Sequence, residues 1–316
     1  MGSPAAKSGL KAGPTVTRIG DLKVEAFLKR AGETASKGFS KDFFVLQVLG
    51  ELLGEPSDGD RQSITVLNPQ EPRKEITHAY RPIQYPGKMS VAAANMESMP
   101  IRYEEKRFTF PKGEVLYLGF NIFLPEVMRK LRESMKNRGE GVVGLIVDVR
   151  GNPGGLGVMA NGLAGILTDK QFSLGQMKMR AGVFNFVAFP QRGAFLGPVV
   201  ILVDGMSAST SEIFAAGMQE AGRAHVVGRR TMGAALPSFI RELPNGDRLQ
   251  HAIADLKTAK GQRVEGRGVI PDEVVPLSPE KLFQGMDPDL DKAMKWLQRE
   301  TASSAASPVS NKPLSP

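Results

Sequence analysis

Three short apolar runs, VLYLGF at 115–120, GLIVDV at 144–149 and VVILV at 199–203, carry few polar positions and read as strands buried on both faces of a sheet. Each leads through a turn into a segment with helical spacing. After the first, PEVMRKLRESMKN at 125–137 puts Val127, Met128, Leu131 and Met135 on one side and Arg and Lys opposite, with Pro125 at its start. After the second comes RGNPGG, then a helix through Leu167. After the third comes DGMSASTS, then a helix over 212–221 and a further strand in AHVVG. Strands that alternate with helices predict a parallel sheet with crossover connections, whose sites form at the C-terminal ends of the strands.

The first hundred residues follow another pattern. Residues 3–13, SPAAKSGLKAG, read as a short helix and a glycine-punctuated turn, and TVTRI at 15–19 as a strand. Residues 43–53, FFVLQVLGELL, have helical spacing, and 63–67 and 75–78 read as two more strands. Residues 54–100 hold six prolines, and the turn-rich 81–100 reads as a linker. Downstream, LPNGDRLQ at 243–250 predicts a hairpin and MDPDLDKAMKWL at 286–297 a closing helix. The Ser- and Pro-rich tail at 299–316 is expected to be disordered.

A chain of 316 residues, 41% hydrophobic and 23% charged, is long enough for two domains with their own cores. Its formal charge of +8 invites an anionic partner, but the basic residues are dispersed. Residues 1–98 hold 13 basic and 11 acidic side chains, and no basic run carries interleaved aromatics, which speaks against nucleic acid. Zero cysteines exclude a disulfide scaffold, a cysteine nucleophile and thiolate metal sites. No apolar run reaches the roughly 20 residues of a membrane span, and no signal-peptide core opens the chain.

The chemistry concentrates in the two turns after the second and third strands. Ser209 stands on a strand-to-helix turn, at the positive end of a helix dipole and beside unpaired N–H groups, which suits a nucleophile. The plainer reading is a helix cap, with Glu212 completing a capping box. If the two strands are neighbours, RGNPGG sets glycine N–H groups beside that serine as an oxyanion hole requires. RGNPGG lacks the Lys-Ser/Thr of a phosphate-binding P-loop. Histidines are few. His78, His225 and His251 sit on or beside predicted strands, and none lies near another at metal-ligand spacing.

Two resemblances sharpen this reading. SPAAKSGLKAG with the following V and IG resembles the middle of a PDZ domain, with Pro14 where that family usually has Asp. LIVDVRGNPGG, VVILVDGMSASTSEIFAAGMQEAGRAHVVGRRTMG and VEGRGVIPDEVV resemble the S41 family of C-terminal-processing serine peptidases. The resemblance implies a mixed α/β (α+β) fold, a ClpP/crotonase-like S41 core over 101–298 preceded by an N-terminally incomplete PDZ domain over 1–80. It implies Ser209 as nucleophile, and an oxyanion hole from the N–H of Thr210 with that of Gly154 or Gly155. It further implies a polypeptide substrate with a free C-terminal tail, no cofactor or metal, and a cell-envelope location. One position departs from the family. Many members activate the serine with a lysine in T-F-G-K-G, and here Ala234 stands at that place, with no lysine between Ser209 and Lys257.

Two explanations follow. In a tricorn-type branch, which shares GAxL and the glutamate here numbered Glu265, the base is a histidine ahead of the PDZ domain, in a segment expected to precede Met1, and a glutamate supports it, which makes Glu265 a candidate catalytic residue beside Ser209. The other is a catalytically silent homologue that binds tails. A crotonase-like acyl-handling enzyme is a third and weaker alternative.

Overall fold

The computed structural model describes residues 4–34, 61–82 and 101–303. The helix read over 43–53 and most of the 81–100 linker lie outside the described residues. In the N-terminal part, α1 (Pro4–Lys7) leads to β1 (Thr15–Ile19), β2 (Leu22–Lys23), α2 (Val24–Thr34), β3 (Gln62–Asn68) and β4 (Glu71–Tyr80). The four strands form an antiparallel sheet in the order β2-β1-β3-β4, with Ile19, Ile64 and Val66 buried.

A second unit begins with β5 (Tyr103–Phe110), β6 (Gly113–Phe120), α3 (Pro125–Lys136), β7 (Val142–Asp148) and α4 (Val158–Gly165). It continues with β8 (Phe172–Met179), β9 (Gly182–Ala188), β10 (Val199–Val203), α5 (Thr210–Glu220) and β11 (His225–Gly228). It closes with β12 (Ser238–Glu242), β13 (Arg248–Ala252), β14 (Ala254–Lys257), β15 (Glu273–Val274), α6 (Pro279–Phe283) and α7 (Pro288–Ser303).

A six-stranded sheet in the order β15-β11-β10-β7-β6-β5 is its backbone, parallel except for β5. The predicted neighbour relation holds, since β7 and β10 pair in parallel with Leu145 opposite Val199 and Asp148 opposite Leu202. Alternation along β10 fills two cores. Val199, Ile201 and Val203 point to one face, with Val127 and Leu131 of α3, Leu163 of α4 and Phe214 of α5. Val200 and Leu202 point to the other, with Ala293 and Leu297 of α7.

Helix α5 is buried from Thr210 to Met218, because the antiparallel sheet β14-β8-β9 covers the side turned away from the central sheet. Gly217 is the point of contact. A Cβ there would meet Leu174 of β8 at 2.4 Å. The β12–β13 hairpin matches the hairpin predicted around LPNGDRLQ. The closing helix runs on to Ser303, so residues 299–303 are a correction to the tail expected from 299. Arg299 pairs with Glu273 and Lys112 Nζ donates to the Thr301 carbonyl, and these contacts hold the extra turn in place.

Candidate active site

Strand β7 ends at Asp148 and β10 at Val203, side by side, so the loops that follow them emerge at one edge. Hydrogen bonds stitch the two loops together. Asp204 Oδ1 accepts the Gly151 N–H at 2.9 Å, and Ser207 Oγ donates to the Val149 carbonyl at 2.7 Å. The Asn152 carbonyl accepts the Ala208 N–H at 3.0 Å and the Ser211 hydroxyl at 2.9 Å. Thr210 Oγ1 donates to the Gly155 carbonyl at 2.8 Å. A glycine at 154 is required by contact as well as by its φ of 109°, since a Cβ there would lie 2.7 Å from Ser209 Cβ.

Ser209 is half-buried, with φ 52° and ψ −116°, and among the described residues no other non-glycine has positive φ. Such a conformation costs about 1–3 kcal/mol and persists only where surrounding contacts enforce it. It is the sharp strand-to-helix turn that holds a hydroxyl out at a corner. The Ser209 N–H is bound from two directions, by the Ala234 carbonyl at 3.0 Å and by Glu212 Oε2 at 3.0 Å.

The capping box between Ser209 and Glu212 is formed, but unequally. Its strong half is the bond from the Ser209 N–H to Glu212. The other half is weak, because the Glu212 N–H makes its hydrogen bond at 2.8 Å to the Ser209 carbonyl. Capping and exposure of the hydroxyl therefore coexist.

Beside this corner, two N–H groups have no acceptor among the described residues. Thr210 is the first residue of α5, and its N–H has no partner among the described residues. The same holds for Gly155, which is exposed. Gly154 differs, because its N–H donates to Asn152 Oδ1 at 2.9 Å. The free pair is thus Thr210 and Gly155.

Glu212 does more than cap. It is fully buried, with Oε1 accepting the Thr231 hydroxyl at 2.6 Å and the Gly233 N–H at 2.8 Å, and Oε2 accepting the Ala234 N–H at 3.1 Å as well as that of Ser209. Burial pushes its carboxyl up to about 7, against the opposing pull of these four donors. The segment 231–234 is thereby fastened beside Ser209.

Glu265 sits behind that segment. Its Oε2 accepts the N–H groups of Ala235 at 2.7 Å and Leu236 at 3.0 Å. Within the planar trans peptide joining Ala234 to Ala235, C=O and N–H point in opposite directions. The carbonyl faces Ser209 and the N–H faces Glu265, so the glutamate holds the far side of the strand.

The histidines are elsewhere. His225 begins β11, at the sheet edge opposite the site, and stacks on Trp296 with ring centroids 4.5 Å apart. A cavity of about 490 Å³, lined by Pro198, His225 and Trp296, lies at that same remote edge. His78 Nδ1 bonds the Ser8 carbonyl at 3.0 Å, and His251 pairs with Phe239 on the β12–β13 hairpin. Among the described residues no side chain hydrogen-bonds the Ser209 hydroxyl.

A polar cleft of about 410 Å³ opens at the C-terminal ends of the strands, bordered by Tyr117, Asp148, Arg150, Gly151, Asp204 and Asp287. At its floor the Tyr117 hydroxyl donates to Asp148 Oδ2 at 2.7 Å. Sequence reasoning passed over this cluster, together with Asn152, Thr231 and Asp204. An Asp–X–Arg–Gly run closing a buried strand was the one local signal.

The profile of Peptidase family S41 matches residues 114–275, about half of the chain. The carboxyl-terminal-processing protease of Picosynechococcus is 32% identical over 154 residues, covering 49% of this chain and 36% of that protein. The carboxy-terminal processing protease CtpA of Bacillus subtilis is 26% identical over 159 residues, covering 50% and 34%. The matched stretch spans about a third of these relatives' own length. Among solved structures, a photosystem II D1 C-terminal processing protease aligns over 95% of this chain and 71% of that one, with a TM-score of 0.59 at 22% identity. Mature CPAF complexed with lactacystin aligns over 93% and 79%, with a TM-score of 0.68 at 16% identity. These structures share the mixed α/β fold.

Proposed function

Because the chain belongs to peptidase family S41, we propose that it is a serine peptidase that cleaves unstructured, C-terminally presented polypeptide through an acyl-enzyme on Ser209. One observation carries the reading. Ser209 is held at φ 52° beside two N–H groups that have no acceptor among the described residues, those of Thr210 and Gly155, on two loops bonded to each other. In this mechanism the Ser209 oxygen attacks the scissile carbonyl, whose oxygen becomes negative and settles between the two N–H groups. Collapse breaks the C–N bond, the departing amine takes up the proton that the Ser209 hydroxyl lost on attack, and an ester remains on Ser209. Water then attacks that ester through a second oxyanion, releasing the acyl group as the acid and returning a proton to the Ser209 oxygen.

The substrate class follows from likeness to relatives named for C-terminal processing. In the same reading the four-stranded N-terminal sheet belongs to a partial PDZ domain over residues 1–80, joined by a linker at 81–100 to the core at 101–298. A PDZ domain would receive the substrate tail by strand addition. A cell-envelope location belongs to this proposal as well.

Ala234 favours a second reading. Its carbonyl bonds the Ser209 N–H, so the position where many family members carry the activating lysine is beside the serine and holds a methyl group. A silent homologue that binds tails would keep this fold and lose the proton acceptor. The test is incubation with an unfolded, tailed polypeptide alongside Ser209→Ala, with a fluorophosphonate probe in parallel. Cleavage and labelling that vanish in the variant support the peptidase. Equal cutting by both proteins, with no label on Ser209, supports the silent homologue.

A further inference from the structure

Arg150 opens the RGNPGG loop, and its guanidinium has all five N–H groups committed to carboxylates. Nε faces both oxygens of Asp148 at 3.0 Å, and Nη2 donates to Asp148 Oδ2 at 2.6 Å and Asp287 Oδ2 at 2.8 Å. Nη1 donates to Asp287 Oδ1 at 2.8 Å and Asp289 Oδ2 at 3.1 Å. Asp148 belongs to the same strand end. Asp287 and Asp289 come from the start of α7, with Asp289 itself in that helix. Arg229 at the end of β11 adds a second cation on Asp289 at 3.1 Å.

The cluster is sequestered, with side-chain exposures of 18% for Arg150, 7% for Asp148 and 4% for Asp289. Burying so many charges returns little stability over a well-packed apolar contact. What a saturated guanidinium fork supplies is a fixed orientation.

That orientation passes along the loop. Gly151 is pinned to Asp204, Asn152 to the Phe120 carbonyl at 3.1 Å, and Gly154 to both Asn152 and Phe123. The next residue is Gly155. We propose that Asp287 and Asp289 are positioning residues: by gripping Arg150 they couple α7 to the loop that presents the Gly155 N–H, so that docking of the C-terminal helix sets the geometry of the oxyanion hole. The inference rests on reading Ser209, Thr210 and Gly155 as an acyl-transfer site, and it makes α7 part of that site's control.

The experiment compares the full chain with Asp287→Asn/Asp289→Asn, and with Asp291→Asn as a control for charge, since Asp291 is exposed on the same helix. Hydrogen exchange is followed over residues 149–157 and 290–303, and the fluorophosphonate labelling rate is resolved into a maximal rate and a half-saturating concentration. The double variant is expected to exchange faster over 149–157 while 290–303 keeps its protection through Ala293 and Leu297. Its maximal labelling rate falls about tenfold or more with half-saturation within about twofold, since oxyanion donors act on the transition state. The Asp291 control matches the native chain. If the double variant does not fold, Asp287→Asn alone, at a carboxylate 33% exposed, gives a smaller change in the same direction. Unchanged exchange over 149–157, or exchange that rises equally in both segments, overturns the coupling. A native chain that takes no label overturns the acyl-transfer reading instead, and the exchange measurement then decides the coupling by itself.

Discussion

The Ser209 N–H donates to the Ala234 carbonyl oxygen at 3.0 Å, so the backbone of residue 234 runs alongside the serine and a long side chain rooted there starts next to its hydroxyl. Ala234→Lys is expected to raise the rate of fluorophosphonate labelling. General-base assistance contributes about 10²–10⁴-fold where geometry is right, and a half-buried amine loses protons more readily than a free one. Labelling should therefore climb as pH rises through the titration of the new lysine. A variant that folds and labels no faster than the parent at any pH shows that the missing lysine is not the deficit.

Glu212 gives the protein a pH-dependent stability whose sign is fixed by burial. Its carboxyl is pushed from an ordinary 4.5 up to about 7 in the folded chain, so the folded state binds the extra proton between those values. The contribution is fully present below about pH 4.5 and is lost as pH rises through about 7, a change of about 3 kcal/mol. Denaturant unfolding between pH 4.5 and 7.5 should show this decline. In Glu212→Gln the slope disappears. The amide also turns one acceptor oxygen into a donor, leaving either the Thr231 hydroxyl and Gly233 N–H or the Ala234 N–H without that acceptor, while the Ser209 N–H keeps the Ala234 carbonyl, at a cost of about 1–3 kcal/mol for each unsatisfied group.

Much of this architecture is legible in the chain. VVILV, GLIVDV and VLYLGF are strands because a doubly covered parallel sheet tolerates few polar positions, and β10 falls on the predicted residues. Strand β5, YEEKRFTF, is hidden by its own composition. It is an edge strand whose charged residues face solvent, while Phe108 and Phe110 pack against the core shared with α7. The sheet β14-β8-β9 is similarly obscured by the polar positions of FSLGQMKM. At the site, the SASTSE turn announces both a cap and a corner, and the structure contains both. Beyond the Glu212 cap, the roles of Glu212 and Arg150 could not be read, because the partners that define them lie 19 to 22 and 137 to 139 residues away in sequence. Local spacing carries no information about such contacts.

Close contact between Gly154 and Ser209 makes a selective test of the two-loop corner. A Cβ at 154 would stand 2.7 Å from Ser209 Cβ and 2.9 Å from the Thr210 nitrogen, on a residue with φ of 109°. Gly154→Ala is expected to cost about 1–3 kcal/mol of stability through overpacking and to abolish labelling of Ser209. Gly151→Ala is the matched control. It also has positive φ, 68°, but meets nothing within 4 Å, so it pays the backbone strain and keeps the corner. Equal labelling by both variants would show that the corner tolerates displacement and that Gly154 serves only the turn.

Glu265 can be assigned by a substitution that separates holding from proton transfer. Both N–H groups it accepts, from Ala235 and Leu236, reach the same oxygen, Oε2. Glu265→Gln can present its amide oxygen at that point, so a glutamate that only clamps the strand is replaced at little cost, and labelling of Ser209 should stay within about threefold of the parent. Glu265→Ala removes the acceptor, frees the strand that carries Ala234, and is expected to lower both melting temperature and labelling. A carboxylate that moves protons behaves differently, because the amide cannot titrate. Collapse of labelling in the Gln variant with an unchanged melting temperature would place Glu265 in the chemistry and contradict the geometry, in which the Ala234–Ala235 peptide stands between it and the serine.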